Sequence, residues 1–308
     1  MKITRLAVLV AAGSLLTAVS SFAQNAGQGR AIVTVFAKHS EVAPTVSLQD
    51  VSAKVNGKDS SVTGWAQFKG ADDGLELVVL IDGAANNLGR QFDEIKQFVD
   101  GLGPNTKIAV GYMENGRAIM SGPLTSDHKQ VLSGLHLPGG PHANPYFSLS
   151  ALAQNWPSRE SPSREPKVRR EVIVLSDGLD PNNQRFDPDD PYVQSAIHDS
   201  VRAGLVVYPI YWRSRPESAG ADTAGESLMN EVAEATGGYN YSSGLENPVS
   251  FQPFFTDLVR RFANQYALEF NARLDRKPAV EPMKLKIEGL GLQVTAPQQV
   301  FVTTGAAE

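Results

Sequence analysis

Residues 75–83 read Leu-Glu-Leu-Val-Val-Leu-Ile-Asp-Gly, a near-continuous apolar run closed by Asp82-Gly83. Such a run predicts a strand buried on both faces, because a half-exposed strand would alternate apolar and polar side chains. Just downstream, residues 88–102 place Phe92, Ile95, Phe98, Val99 and Leu102 at spacings of three and four. That is the period of an amphipathic helix, and Gly103-Pro104 stops it. Lys107–Met113 predicts a second strand, turned at Glu114-Asn115-Gly116 into an antiparallel third, Arg117–Met120. Helical patterns at 126–135 and 146–156 lead to another buried strand, Glu171–Leu175, which ends in Ser176-Asp177-Gly178. Asp190-Pro191 opens a helix that Gly204 ends, by the usual cap chemistry. Strand Leu205–Trp212, helix 224–235, a short strand at Tyr239–Ser242 and helix 248–265 complete the series.

Alternating strands and helices across 75–265 predict an α/β fold, a doubly wound, mostly parallel sheet with one antiparallel strand. The flanks differ. Residues 24–30 are small and polar and read as a flexible start, whereas 31–36, 46–55 and 62–68 are strand-like around the turn Asn56-Gly57. Strand patterning returns at 266–272, 283–287 and 294–302. The expected organisation is therefore an N-terminal β-rich segment (24–74), a central domain (75–265) and a C-terminal β-rich segment (266–308). The two β segments are expected to meet as one small β annex, since neither alone would bury much core.

The first residues read as an address. Lys2 and Arg5 precede the apolar run Leu6–Val19, and Ser21-Phe22-Ala23 places small residues before a cut at Gln24. This is the pattern of a secretory signal peptide over 1–23, and the run is shorter than the about 20 residues that a membrane helix needs. The expected product is exported, periplasmic or secreted, with no membrane span after cleavage. Its 28 basic and 33 acidic residues, net −5, leave no electrostatic footprint for nucleic acid and no polybasic membrane patch. Cysteine is absent, which excludes disulfide scaffolds, thiolate zinc sites and cysteine nucleophiles.

Two predicted strands end in acids, Asp82 and Asp177, with Asp180 just after the second. Neighbouring strand-end carboxylates suit a hard divalent cation such as magnesium, although Asp-Gly also simply punctuates strand-to-loop transitions. Asp187, Asp189 and Asp190 in FDPDDP offer carboxylates to calcium, but read rather as a solvated turn and a helix cap. His136 and His142 in LHLPGGPH could hold a metal, but metal-binding pairs sit i, i+4 on a helix or are backed by further ligands. With no backing visible, they read as ordinary loop histidines. Trp212, Arg213 and Arg215 follow a strand end, where they form either a recognition patch or packing beneath a loop. No Gly-x-Ser-x-Gly elbow, His-Glu-x-x-His helix, phosphate loop or dinucleotide fingerprint occurs. The expectation is accordingly not an enzyme, with no catalytic or cofactor-binding residues.

Residues 75–265 resemble a von Willebrand factor type A (VWA) domain. The resemblance rests on LELVVLIDGAANN, the hairpin KIAVGYMENGRAIM, the strand VIVLSDG, the strand LVVYPIYW and the helices ending before Gly237-Gly238 and near 265. With the signal peptide and β-rich flanks, the chain resembles exported bacterial proteins of the VWFA-related kind. The resemblance implies a metal-ion-dependent adhesion site with an Asp-x-Ser-x-Ser motif, a Thr in a middle loop and a late Asp. Here the first motif reads Asp82-Gly83-Ala84-Ala85-Asn86, the middle loop 137–152 has no Thr, and Asp177 matches the late position. The implied site is thus degenerate, with Asp82, Asn86 and Asp177 as its ligands and at most weak binding of magnesium or another divalent cation. The resemblance implies an adhesion or scaffolding module that binds an unidentified protein partner through its strand-end face, with Trp212, Arg213 and Asp180 as candidate contacts. The alternatives are a structural subunit of an envelope assembly, and a metal-dependent hydrolase using Asp82 and Asp177.

Overall fold

The computed structural model describes residues 26–37, 45–142, 144–158, 168–181, 187, 189–214, 217–244, 246–274, 277–289 and 291–304. The expected signal peptide, most of the charged segment at 157–168 and Arg215 lie outside them. The first elements are β1 (Ala26–Ala37), β2 (Val51–Val55), β3 (Lys58–Gln67), β4 (Leu75–Asp82), α1 (Arg90–Gly101), β5 (Lys107–Glu114) and β6 (Arg117–Met120). Next come α2 (His128–Gly134), α3 (Pro145–Gln154), β7 (Arg169–Ser176), α4 (Pro191–Ala203), β8 (Leu205–Tyr211), α5 (Ala219–Thr236) and α6 (Gln252–Ala263). The chain finishes with β9 (Gln265–Arg273), β10 (Ala279–Ile287), β11 (Leu292–Thr295) and β12 (Gln299–Thr304).

The strands from the two ends of the chain form one antiparallel sheet, ordered β11-β1-β12-β10-β2-β3-β9. Because β1 also pairs with β9, from Ala26 against Arg273 to Thr34 against Gln265, six of these strands close into a barrel. Closure removes sheet edges, and the barrel has an interior of its own built from Val33, Leu268, Phe270, Met283 and Val302. The second sheet has five strands, ordered β6-β5-β4-β7-β8, and is mixed because β6 runs antiparallel to β5. The expected doubly wound, mostly parallel α/β class with a small β annex is therefore overturned. The fold is a closed antiparallel barrel joined to a mixed sheet, with six helices among the described residues. The reason is that the terminal segments carry enough strand-forming and apolar sequence to close on each other.

Three local departures follow the same logic. Residues 26–30, expected to be flexible, belong to β1, where Gly27 and Gly29 lie against Val302 and the ring of Phe270. Expected strand 294–302 is split into β11 and β12 around Ala296-Pro297, since proline cannot donate to a ladder. The segment 239–242 forms only an isolated bridge between Tyr241 and Ile210.

Strand β4 is buried along its whole length. Leu77, Val79 and Ile81 pack with Phe92, Ile95 and Phe98 of α1 and Leu258 and Phe262 of α6. Val78 and Leu80 pack on the opposite face with Leu149 of α3, Ile197 of α4 and Val232 of α5. Each such side chain contributes about 1.5–3 kcal/mol through removal from water. Strands β5, β4, β7 and β8 are mutually parallel, so their C-terminal ends open on one side. Barrel and mixed sheet are joined through Arg169, fully buried, which donates to Phe262 O and Gln265 Oε1 at 2.6 Å each and to Gly70 O at 2.9 Å.

Candidate functional site

Strands β4 and β7 are hydrogen-bonded neighbours in register up to Ile81 opposite Leu175, so the residues that follow emerge side by side. Asp82 and Asp177 are both fully buried there. Asp82 Oδ1 accepts from the Ala84 N–H at 2.9 Å and Oδ2 from Ser176 Oγ at 3.1 Å. Asp177 Oδ1 accepts from the Leu179 N–H at 3.0 Å. Burial, reinforced by the neighbouring Asp177 charge and opposed by the Ala84 and Ser176 hydrogen bonds and by His142, pushes the Asp82 carboxyl up to about 6.

The third member of the cluster is His142. Its Nδ1 lies 3.9 Å from Asp177 Oδ2, and one ligand atom from each of Asp82, His142 and Asp177 falls within 4.8 Å of the others. The loop that delivers it is held at several points. At its start, Tyr112 donates to His136 O at 2.5 Å, accepts from His136 N–H at 2.9 Å and stacks on the His136 ring at 4.2 Å. Further on, Gly140 N–H donates to Gly83 O at 2.9 Å. At its end, Asn144 caps α3 by accepting from Phe147 N–H at 2.9 Å and donates to Asp180 Oδ2 at 2.6 Å. Gly83 is required by this approach, since a Cβ there would sit 2.7 Å from Met113 O and 3.1 Å from Pro141 O.

The other residues singled out in the sequence have different placements. Asn86 is exposed in the turn after β4, with its backbone N–H donating to Ala84 O at 2.7 Å. Trp212 is 3% exposed, donates from Nε1 to Asn87 Oδ1 at 2.7 Å and meets Phe251 edge-on. Arg213 is half-buried and pairs with Asp222 at 3.2 Å while its N–H donates to Asn247. Asp190 caps α4 by accepting from Tyr192 N–H at 2.8 Å. Two features of this face depart from the sequence reading. One is His142, read there as an ordinary loop histidine, which the Pro-Gly-Gly-Pro run at 138–141 bends tightly against a neighbouring segment. The other is an exposed aromatic pair on the first turns of α3 and α4, Phe147 and Tyr192, with ring centroids 4.2 Å apart.

Chemically, the cluster offers two carboxylates and one imidazole to a ligand. The VWA resemblance implies a hard cation in a shell of hydroxyl and carboxylate oxygens, and the fit is incomplete. Buried Ala84 supplies no oxygen, and the 137–152 loop supplies an imidazole nitrogen where a Thr hydroxyl is implied. Ser176 Oγ donates to Asp82 Oδ2 and accepts from Gly178 N–H at 3.2 Å. A separate cavity of about 440 Å³ lies between β1 and the start of β8, lined in part by Arg30, Arg170, Glu269 and Phe301. It does not include the strand-end acids, and the ligating chemistry is concentrated on the strand-end face.

No family model matches the chain, and no curated protein matches it. Solved structures similar to it include proximal thread matrix protein 1 from the mussel byssus, 16% identical with a TM-score of 0.44, over 63% of this chain and 48% of that one. Another is the human COPII-coat protein Sec24c, 14% identical with a TM-score of 0.40, over 75% of this chain and 44% of that one. A third is the vWF domain of the type V pili tip protein Mfa5 from Porphyromonas gingivalis, 11% identical with a TM-score of 0.40, over 62% of this chain and 93% of that one. The chain thus spans less than half the length of the first two.

Proposed function

We propose that this chain is an exported, non-enzymatic binding module of VWA-like character that recognises a protein partner through the strand-end face of its mixed sheet. The observation that carries this reading is the exposed pair Phe147 and Tyr192, 44% and 40% exposed, set on the same face as the buried Asp82–His142–Asp177 cluster. Exposed aromatic side chains on rigid helix ends supply contact area at low entropic cost and anchor protein interfaces. Ser176 Oγ is held against Asp82 Oδ2 at 3.1 Å, where it orients the carboxylate of the cluster. The N-terminal pattern at 1–23 supports export.

The test is retention of bacterial envelope and surface proteins on the immobilised chain. A protein held by the wild type and lost from a Phe147→Ala/Tyr192→Ala variant of unchanged thermal stability supports the reading. Equal retention by both overturns it. Retention is expected to be insensitive to magnesium and calcium, because the oxygen ligands that those ions need are incomplete.

A further inference from the structure

We infer that Asp82, His142 and Asp177 form a transition-metal site, selective for zinc-like ions over magnesium and calcium, with His142 as the ligand that sets the selectivity. This inference rests on the strand-end face being the binding face, and it names the ion that the face takes.

The argument starts from the donors. Magnesium and calcium are hard ions that take six or more oxygen ligands, with magnesium retaining several waters. Imidazole nitrogen instead suits zinc, copper, iron and nickel, and a mixed nitrogen–carboxylate set of three with open positions is a recognised zinc arrangement. In this chain the position corresponding to an oxygen donor after β4 is Ala84, buried and without a ligating atom. The nitrogen donor is present instead, with His142 Nδ1 3.9 Å from Asp177 Oδ2 and the three groups within 4.8 Å of one another. Donor atoms around an ion with bonds of about 2.0–2.2 Å stand roughly 3.3–3.6 Å apart, so the three groups must draw together when the ion binds.

The site is also supported from behind. Asp82 and Asp177 are each oriented by a backbone N–H on one oxygen, from Ala84 and Leu179, and Ser176 Oγ steers the other oxygen of Asp82. The histidine loop is fixed by the Tyr112–His136 and Gly83–Gly140 contacts. Such outer contacts hold ligands in place and preserve affinity. Charge points the same way: two fully buried carboxylates stand side by side, an arrangement that a divalent ion between them favours.

The experiment is a titration of the full chain, stripped with chelator, by cobalt, zinc and magnesium ions. The readouts are visible ligand-field absorption for cobalt and calorimetry for all three. The expected result is one-site binding of cobalt, its displacement by zinc, and zinc affinity at least about 100-fold above that for magnesium. His142→Ala should lower zinc affinity by roughly 10–100-fold and bleach the cobalt band, with the circular dichroism spectrum unchanged. His142→Gln, which keeps the size of the side chain, should lose zinc equally. Magnesium binding as tight as zinc, unchanged zinc affinity in both His142 variants, or no binding of either transition metal overturns the inference. None of these results touches protein retention by the Phe147–Tyr192 rim, so failure of the metal site and failure of the binding face are separately visible.

Discussion

His142 Nδ1 stands 3.9 Å from Asp177 Oδ2, and the backbone of Gly83, next to Asp82, is the surface against which the histidine loop rests. One glycine therefore links the end of β4 to the placement of a side chain far along the chain. The Gly140 N–H to Gly83 O hydrogen bond, at 2.9 Å, completes the contact.

Gly83→Ala tests that link. The added methyl would lie 2.7 Å from Met113 O of β5 and 3.1 Å from Pro141 O of the loop, so the end of β4 must shift and the loop give way with it. Overpacking of this kind costs about 1–3 kcal/mol. The expected outcome is a loss of that size in urea unfolding and a zinc affinity reduced along with it. Unchanged stability and unchanged affinity would show that the loop does not depend on this contact.

Asp82→Asn should stabilise the metal-free chain at alkaline pH. Burial raises the Asp82 carboxyl from 3.8 to about 6, so the folded state prefers the protonated form. The wild type then holds its full contribution below the unfolded value and loses it as pH rises from about 4 through 6. Asparagine keeps an acceptor for the Ala84 N–H and carries no charge. The gain should be on the order of 1–3 kcal/mol at pH 8 and close to zero at pH 4, read from urea unfolding with chelator present. A loss of stability at pH 8 would contradict the account.

Arg169→Met should cost about 3–5 kcal/mol, because it leaves buried Glu171 without its cationic neighbour and removes the hydrogen bonds to Phe262, Gln265 and Gly70. Burial, opposed by Arg169, already pushes the Glu171 carboxyl up to about 7. Arg169→Met/Glu171→Gln should recover part of the loss. An additive double variant would show that the two charges are not coupled.

Trp212→Ala should behave as a core lesion rather than a surface one. The ring is buried against Phe251 and its Nε1 is tied to Asn87, so the expected loss is about 3–5 kcal/mol in thermal or urea unfolding. A change within about 0.5 kcal/mol would return Trp212 to the surface as a recognition residue.

What was legible in the sequence divides along physical lines. The run at 75–81 declares burial on both faces because nothing polar interrupts it except Glu76, which accepts from Trp156 Nε1 at 2.8 Å and lies 3.4 Å from Arg170. Asp82 and Asp177 were legible because each terminates such a run. The barrel was not, since a strand pattern fixes which faces are apolar but not the partner: nothing in AGQGRAIVTVFA specifies that Ala26 pairs with Arg273. The glycines of that segment read as flexibility, whereas they leave room for Phe270 and Val302. His142 was passed over for the same reason. Metal-ligand spacing along a sequence finds local pairs, and this histidine meets its acids only through the fold.

The central claim is that the strand-end cluster is a ligand site, and the most direct measurement is anomalous diffraction at the zinc edge from crystals grown with zinc. The account predicts one strong peak bounded by Asp82, His142 and Asp177, absent from crystals of His142→Ala. Zinc bound elsewhere with nothing at this cluster, or a peak there that persists without His142, would contradict it.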